Sequence, residues 1–210
     1  TLVAFDFDGT LSDSEMTVLL GDQCGVADQM DEITERAMNN EIEYAESLRS
    51  RCALLEGLPE ADAQDAFDQV VLRPETSVVV DALDSAGVYT AILTGGFERG
   101  VESALETAGV DVETLIANRL PIEDGELTGA VEGPLIDGTK DDALDILTTV
   151  VGEPMSETIA VGDGANDLPM LEAAGFAIGF SPKPAVEPAC DVVVESLPEL
   201  LDVLEERGVC

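Results

Sequence analysis

Short continuous apolar runs alternate along the chain with longer stretches in which apolar residues recur three or four positions apart, and this rhythm sets the expected architecture. LVAFDFD, residues 2 to 8, reads as a buried strand. From Ser14 to Arg73 the periodicity is helical. AMNNEIEYAESLRSRCALLEGLP offers Asn40 as an N-cap, with Gly57 and Pro59 as stop signals. LPEADAQDAFDQVVLRP predicts another helix ended before Pro74. Beyond it the two periods alternate: a helix over 75–86, the apolar strand VYTAILT at 88–94, and a helix over 97–109. LIANRLPIEDGELTGAVEG predicts a β-hairpin turning at Asp124-Gly125. A helix over 139–151, a strand at 158–163, a helix over 166–174 and a strand at 176–180 follow, then a short helix, a strand at 191–195 and a last helix. Apolar strands separated by helices predict an α/β fold with a doubly wound parallel sheet. The all-helical stretch breaks that rhythm. Residues 1–13 and 74–210 are therefore expected to form the core domain, and residues 14–73 a small helical cap domain inserted after the first strand.

In open α/β sheets ligands bind beyond the carboxyl ends of the strands, and three of these ends carry unusual residues. The first ends in Asp6 and Asp8. Residues two apart share a face of a strand, and two carboxylates that close stay ionised only with positive charge between them. The second ends in Thr94, Gly95 and Gly96 at the start of a helix, where a hydroxyl and bare backbone N–H groups can meet an anion. The third ends in VGDGANDLPML, with Asp163 and Asp167. An isolated DxD reads as a turn or helix cap, but four aspartates at one sheet edge are a hard-oxygen set suited to Mg²⁺. Lys140, one of only two lysines, stands at a helix start where the dipole disfavours a cation, so it answers a buried negative charge. The other, Lys183, lies in a Pro-flanked loop and reads as an ordinary solvated residue. These groups make a phosphoryl-transfer site. Asp6 would attack phosphorus. Asp8, its pKa raised by its neighbour's charge, would protonate the leaving alkoxide and then deprotonate water.

Composition narrows the partners. The formal net charge is −36, with nine Lys plus Arg against 45 Asp plus Glu spread over the 210 residues. Such a surface repels nucleic acid and anionic membranes, and an all-over coat argues against a nucleic-acid mimic, which needs a charged patch. Concentrated salt relieves the self-repulsion, since the Debye length falls to ~3 Å at 1 M. This predicts a cytoplasmic protein of a salt-loving organism. No run approaches the ~20 apolar residues of a membrane span. No basic n-region precedes the first strand, so no secretion signal is expected. The absence of histidine excludes His-based triads, HExxH zinc sites and phosphohistidine chemistry. Four cysteines without a CxxC pair read as reduced thiols serving as small hydrophobes. Nothing in the composition signals an oligomeric state.

DFDGTL, LTGGF, Lys140 and GDGANDLPML resemble, in order and over nearly the whole chain, the four motifs of the haloacid dehalogenase superfamily of phosphatases. The resemblance implies a Rossmann-like core with Asp6 as nucleophile and Asp8 as acid/base. It also implies Mg²⁺ held by Asp6, the backbone carbonyl of Asp8 and Asp163, with Asp167 in support. Thr94, Gly95 and Lys140 would bind the phosphoryl group, with Asn166 beside them. Within the superfamily, AMNNEIEYAESLRSRCALL, LTGGF, ANRL and GDGANDLPML are similar to the phosphoserine phosphatase branch. At about 100° per residue, Tyr44, Leu48, Cys52, Leu55 and Arg51 share one helix face, and Arg49 points about 160° away, towards solvent. An arginine on an apolar face needs an anionic partner, either an acid on another cap helix or a substrate carboxylate. The resemblance favours the second, with Arg51 taking the carboxylate of serine, Glu15 its ammonium group, and Met38 and Tyr44 lining the pocket. Gly9 and Thr94 both stand where many members of the branch have Ser. Small esters such as phosphoglycolate, and transfer to an alcohol such as homoserine, are the alternatives within this chemistry. A receiver-type phospho-acceptor domain also gathers acids, a Thr and a Lys, but it is shorter, has no cap and does not place its acceptor after the first strand. A binding protein without catalysis would be expected to have lost Asp6, Asp8 or Lys140, and all three are present.

Overall fold

The computed structural model describes residues 1–38 and 41–210. β1 (Leu2–Phe5) lies at the centre of a six-stranded parallel sheet, between β2 (Tyr89–Phe97) and β6 (Thr158–Gly162). β3 (Thr114–Asn118) pairs outside β2, and β7 (Phe176–Phe180) then β8 (Val192–Val194) continue beyond β6. The chain leaves β1 for one side of the sheet and returns to build the other, so the topological switch point falls at the carboxyl end of β1.

Strand alternation sorts the core into two layers. Val3, Phe5, Ile92, Val161 and Ile178 face α5 (Thr76–Ser85), α6 (Glu98–Ala108) and α9 (Leu197–Glu206). Leu2, Ala4 and Leu93 face α7 (Lys140–Val151) and α8 (Leu168–Ala173). On this second face Ala91, Ala4, Ala160 and Ala177 stand in register across four neighbouring strands. A row of methyl groups lets α7 and α8 lie close on the sheet. The next residue with the parity of Leu2 and Ala4 is Asp6, whose N–H still donates to the Val161 carbonyl at 2.8 Å. The ladder therefore aims its side chain at the start of α7.

Between β1 and α5 the chain forms α1 (Met16–Cys24), α2 (Ala27–Met38), α3 (Tyr44–Ala53) and α4 (Glu60–Phe67). α1 packs on α2 and α4, α2 on α3, and α4 on α6 of the sheet layer. A small hairpin, β4 (Ile122–Glu123) and β5 (Glu126–Leu127), holds this helical segment in place. Gly57 N–H donates to the Leu127 carbonyl at 2.9 Å, Leu127 N–H to Leu58 at 2.8 Å, and Glu60 N–H to Gly125 at 2.9 Å.

Several boundaries differ from the expected ones. The hairpin turns at Asp124 (φ 53°) and Gly125 (φ 84°), as the pattern predicts, but Leu115 to Asn118 belong to β3 of the main sheet. β2 runs on to Phe97, with an irregularity in its pairing after Leu93, so Thr94 to Gly96 are still strand. α4 stops at Phe67, short of the expected end before Pro74, and Leu72 instead bridges to Ser12. The expected cap Asn40 lies outside the described residues; α3 starts at Tyr44 after Glu43. α8 starts at Leu168, with Pro in its first turn, and the short helix before β8 is a single 3-10 turn, Glu187–Ala189. All four cysteines are free; Cys52 is buried, whereas Cys24 is exposed and packs as no small hydrophobe. No helix among the described residues is long and apolar enough to cross a membrane.

Candidate active site

Beyond the carboxyl ends of β1, β2 and β6 lies a cavity of about 130 Å³, and all of Asp6, Asp8, Thr94, Gly95, Gly96 and Asp163 line it. Asp6, Asp163 and Asp167 each offer a carboxylate oxygen within 4.8 Å of the others. Lys140, buried at the first turn of α7, donates from Nζ to Asp6 Oδ1 and Asp167 Oδ1, both at 2.5 Å. A buried ammonium survives only when paired. Burial opposes its charge, and the Asp167 and Asp6 carboxylates outweigh that, holding Lys140 above the usual lysine range. Thr139 and Asp142 form a capping box, so the backbone of this helix start is served by other groups and Lys140 is left for the acids.

The acids differ in their surroundings. Burial, then the Asp167 carboxylate, pushes Asp6 up to about 7, against the pull of Lys140. Asp8 is held well above the usual carboxyl range. Burial is the largest cause, ahead of the neighbouring Asp6 charge expected from the sequence, with Glu15 third. Asp8 Oδ1 is buried without a hydrogen-bond partner. Asp167 has both oxygens engaged: Oδ1 by Lys140, and Oδ2 by the N–H groups of Asp163 at 2.9 Å and Gly164 at 2.8 Å. Asp163 is half-buried, and burial raises its pKa while Lys183 lowers it.

Lys183 corrects an expectation. It is exposed, but its Nζ lies 3.3 Å from Asp163 Oδ2 and it lines the cavity, because its own N–H donates to the Asp163 carbonyl at 2.9 Å and folds the loop back. Arg49 is likewise exposed yet not free in solvent: it forms a two-pronged ion pair with Asp137, in the loop before α7.

The glycines here are set by contact. A Cβ on Gly95 would stand 2.1 Å from the Tyr44 hydroxyl, and one on Gly96 would stand 2.7 Å from Asp8 Oδ2. Gly9, at φ +91°, abuts the Asp163 carboxylate, so a side chain there meets both strain and an acid. Thr94 is buried and its Oγ1 accepts from Gly96 N–H at 2.9 Å, leaving its own proton to donate.

From the helical segment, Glu15, Tyr44 and Arg51 reach the cavity, and the exposed Asn166 lines it from the α8 side. Leu48 and Cys52 on α3, and Leu55 in the turn just beyond it, are buried as the expected helix face predicts, and Tyr44 is 40% exposed at the rim. Arg51 donates to Thr17 Oγ1 at 3.3 Å, its Nε is buried without a partner, and among the described residues no carboxylate lies at ion-pairing distance. Glu15 precedes α1 without capping it through its side chain. The side chain of Met38 lies outside the described residues. Arg73 had no signal in the sequence: it donates to the carbonyls of Thr10 at 3.0 Å and Gly9 at 3.2 Å, bracing the loop after Asp8.

The acid cluster is all oxygen, closely spaced and partly unpartnered, which fits a small divalent cation. A family profile described as haloacid dehalogenase-like hydrolase matches residues 3–172. The chain is 51% identical over 209 residues to a phosphoserine phosphatase of Halobacterium salinarum, covering 100% of this chain and 99% of that one. It is 40% identical to a phosphoserine phosphatase of Lactococcus lactis, covering 97% and 94%. A solved structure described as a phospho-aspartyl intermediate analogue of phosphoserine phosphatase superposes with a TM-score of 0.87 at 33% identity, covering 96% and 97%. The family profile spans the chain from β1 into α8, the stretch that carries the strand-end acids, the Thr-Gly-Gly turn and the buried lysine, and the chain belongs to the haloacid dehalogenase-like hydrolases.

Proposed function

We propose that this chain is a phosphoserine phosphatase, hydrolysing O-phospho-L-serine to L-serine and phosphate with Mg²⁺ at the acid cluster. The observation that carries the reading is Arg51: a guanidinium on a cavity holding Asp6 and Asp8, without an acid partner among the described residues of a chain with 45 acids. Its partner is the carboxylate of the substrate, and Glu15 takes the ammonium group. The relatives and the solved structure bearing the same name support the substrate. Residues 14–73 act as the cap domain that supplies this recognition, and 1–13 with 74–210 as the core domain that supplies the chemistry.

Lys140 holds Asp6 Oδ1, so the remaining oxygen of Asp6 attacks phosphorus. The serine oxygen leaves and takes a proton from Asp8, whose carboxyl is held by burial well above the usual range. A water then attacks the aspartyl phosphate while Asp8 takes its proton, the Asp6 oxygen to phosphorus bond breaks, and phosphate departs. Thr94, the Gly95 N–H, Lys140 and Asn166 bind the phosphoryl oxygens, and Gly96 shapes the turn through its N–H bond to Thr94 Oγ1. Asp6, Asp163 and the Asp8 main chain would hold Mg²⁺, with Asp167 in support. When bound, the cation supplies positive charge that keeps Asp6 ionised and offsets charge on the phosphoryl oxygens. The acidic coat fits work in the cytoplasm of a salt-loving cell. A phosphate-release screen at high salt over phosphoserine, phosphothreonine, phosphoglycolate and sugar phosphates tests the reading. Phosphoserine should lead, and a clear preference for an ester without an amino-acid headgroup would overturn it.

A further inference from the structure

Asn118, at the end of β3, is completely buried and makes three hydrogen bonds. Its Nδ2 donates to the Gly95 carbonyl at 3.0 Å and to the Leu135 carbonyl at 3.2 Å, and its Oδ1 accepts from Leu135 N–H at 3.1 Å. The amide thus pairs with the main chain of Leu135 as a strand neighbour would, and its second amide proton reaches the Thr-Gly-Gly turn. The Gly95 carbonyl and the Gly96 N–H belong to one peptide plane. Asn118 holds the carbonyl end, and Thr94 Oγ1 holds the N–H end at 2.9 Å. With that N–H occupying a lone pair of Thr94, the hydroxyl proton is directed elsewhere. On its other side Asn118 anchors Leu135, five residues before Lys140. Space around it is reserved: a Cβ on Gly133, at φ +148°, would lie 2.3 Å from Asn118 Oδ1.

We infer that Asn118 is a positioning residue for phosphoryl binding: it fixes the Gly95–Gly96 peptide, and through it the Thr94 hydroxyl, relative to the segment that delivers Lys140. This rests on the proposed phosphatase reading of the same site. Its action is on the phosphoryl half only, since Arg51 and Glu15 lie on other elements.

The test compares wild type with Asn118→Asp, which keeps the acceptor for Leu135 N–H but sets a carboxylate oxygen against the Gly95 and Leu135 carbonyls. Turnover of phosphoserine and of an aryl phosphate is measured where circular dichroism shows both proteins folded, and inorganic phosphate binding is measured by calorimetry. The variant should lose about 100-fold in kcat on both esters and about 10-fold in phosphate affinity, with their ratio of kcat/KM unchanged. A lower Tm with unchanged kcat and unchanged phosphate affinity would reduce Asn118 to a structural residue and overturn the inference. If Asn118→Asp does not fold, Gly133→Ala displaces the amide without removing it, and the same loss of phosphate affinity is expected; native affinity there overturns the inference equally. A wild-type protein that neither cleaves any ester nor binds phosphate would instead overturn the phosphatase reading.

Discussion

At the sheet edge, the ammonium of Lys140 already lies between two carboxylates, and Asp167 has both oxygens engaged. In the helical segment facing it, Arg51 meets a threonine hydroxyl and no acid among the described residues, and the Glu15 side chain caps nothing. Both regions look into one cavity, but the cation of the first is saturated with acid partners, with Asp8 Oδ1 left open beside it, whereas the cation of the second has no acid partner among the described residues. A saturated set of charges is poised for the same chemistry whatever enters. An unsaturated one has its partner outside the protein. The division follows from topology: register aims the strand-end residues at α7, whereas the helices sit across the cavity and can vary without disturbing that register.

Breaking the saturated side should have the largest effects. Asp6→Asn removes the attacking oxygen and should lower kcat by on the order of 10⁴-fold or more in steady-state phosphate release. Asp8→Asn should cost about 10²–10⁴-fold, the range for a lost general acid/base, and yet stabilise the protein in the presence of a chelator. Folded Asp8 binds its proton more tightly than unfolded Asp8, so it favours folding at acid pH and opposes it as pH rises through the folded pKa. The Tm gain of the variant should therefore be absent below the ordinary carboxyl value of 3.8 and grow with pH above it; a Tm loss at neutral pH would contradict the burial argument. Lys140→Ala should lower kcat by about 10²–10³-fold, and leaving Asp6 and Asp167 unpaired should destabilise the fold by about 3–5 kcal/mol in denaturant melts. Adding Asp167→Asn should recover part of that stability. Smallest is Arg49→Ala, which breaks an exposed ion pair with Asp137 across the two regions; little or no change in Tm is expected at high salt, and at most a small loss at low salt, where the pair is less screened.

The saturated side was also the more legible. LVAF followed by Asp6 carries its own register, and Lys140 stood out because a chain so poor in cations retained one at an unfavourable helix position. The face of α3 could be drawn from helical angles alone, and Leu48 and Cys52 are buried on it as expected, with Leu55 buried just past its end. What stayed hidden depends on contacts distant along the chain. Arg49 points out from α3 as predicted, but its partner is 88 residues away. Lys183 meets Asp163 only through a backbone bond that no local pattern announces. β3 is mostly half-buried, and its run into a true hairpin turn disguised which strand pairs with what. Asn118 was visible only as part of ANRL, a motif without an obvious chemical group to offer.

The most direct test of the division between the two regions is kcat/KM of Arg51→Ala on phosphoserine and on an uncharged aryl phosphate, measured side by side. The account predicts a loss of about 100-fold or more on phosphoserine, the magnitude of an unpaired charge-assisted contact, against a change of about 3-fold or less on the aryl ester. Equal losses on both would contradict it, because Arg51 would then serve the phosphoryl chemistry and not the recognition of an amino-acid carboxylate.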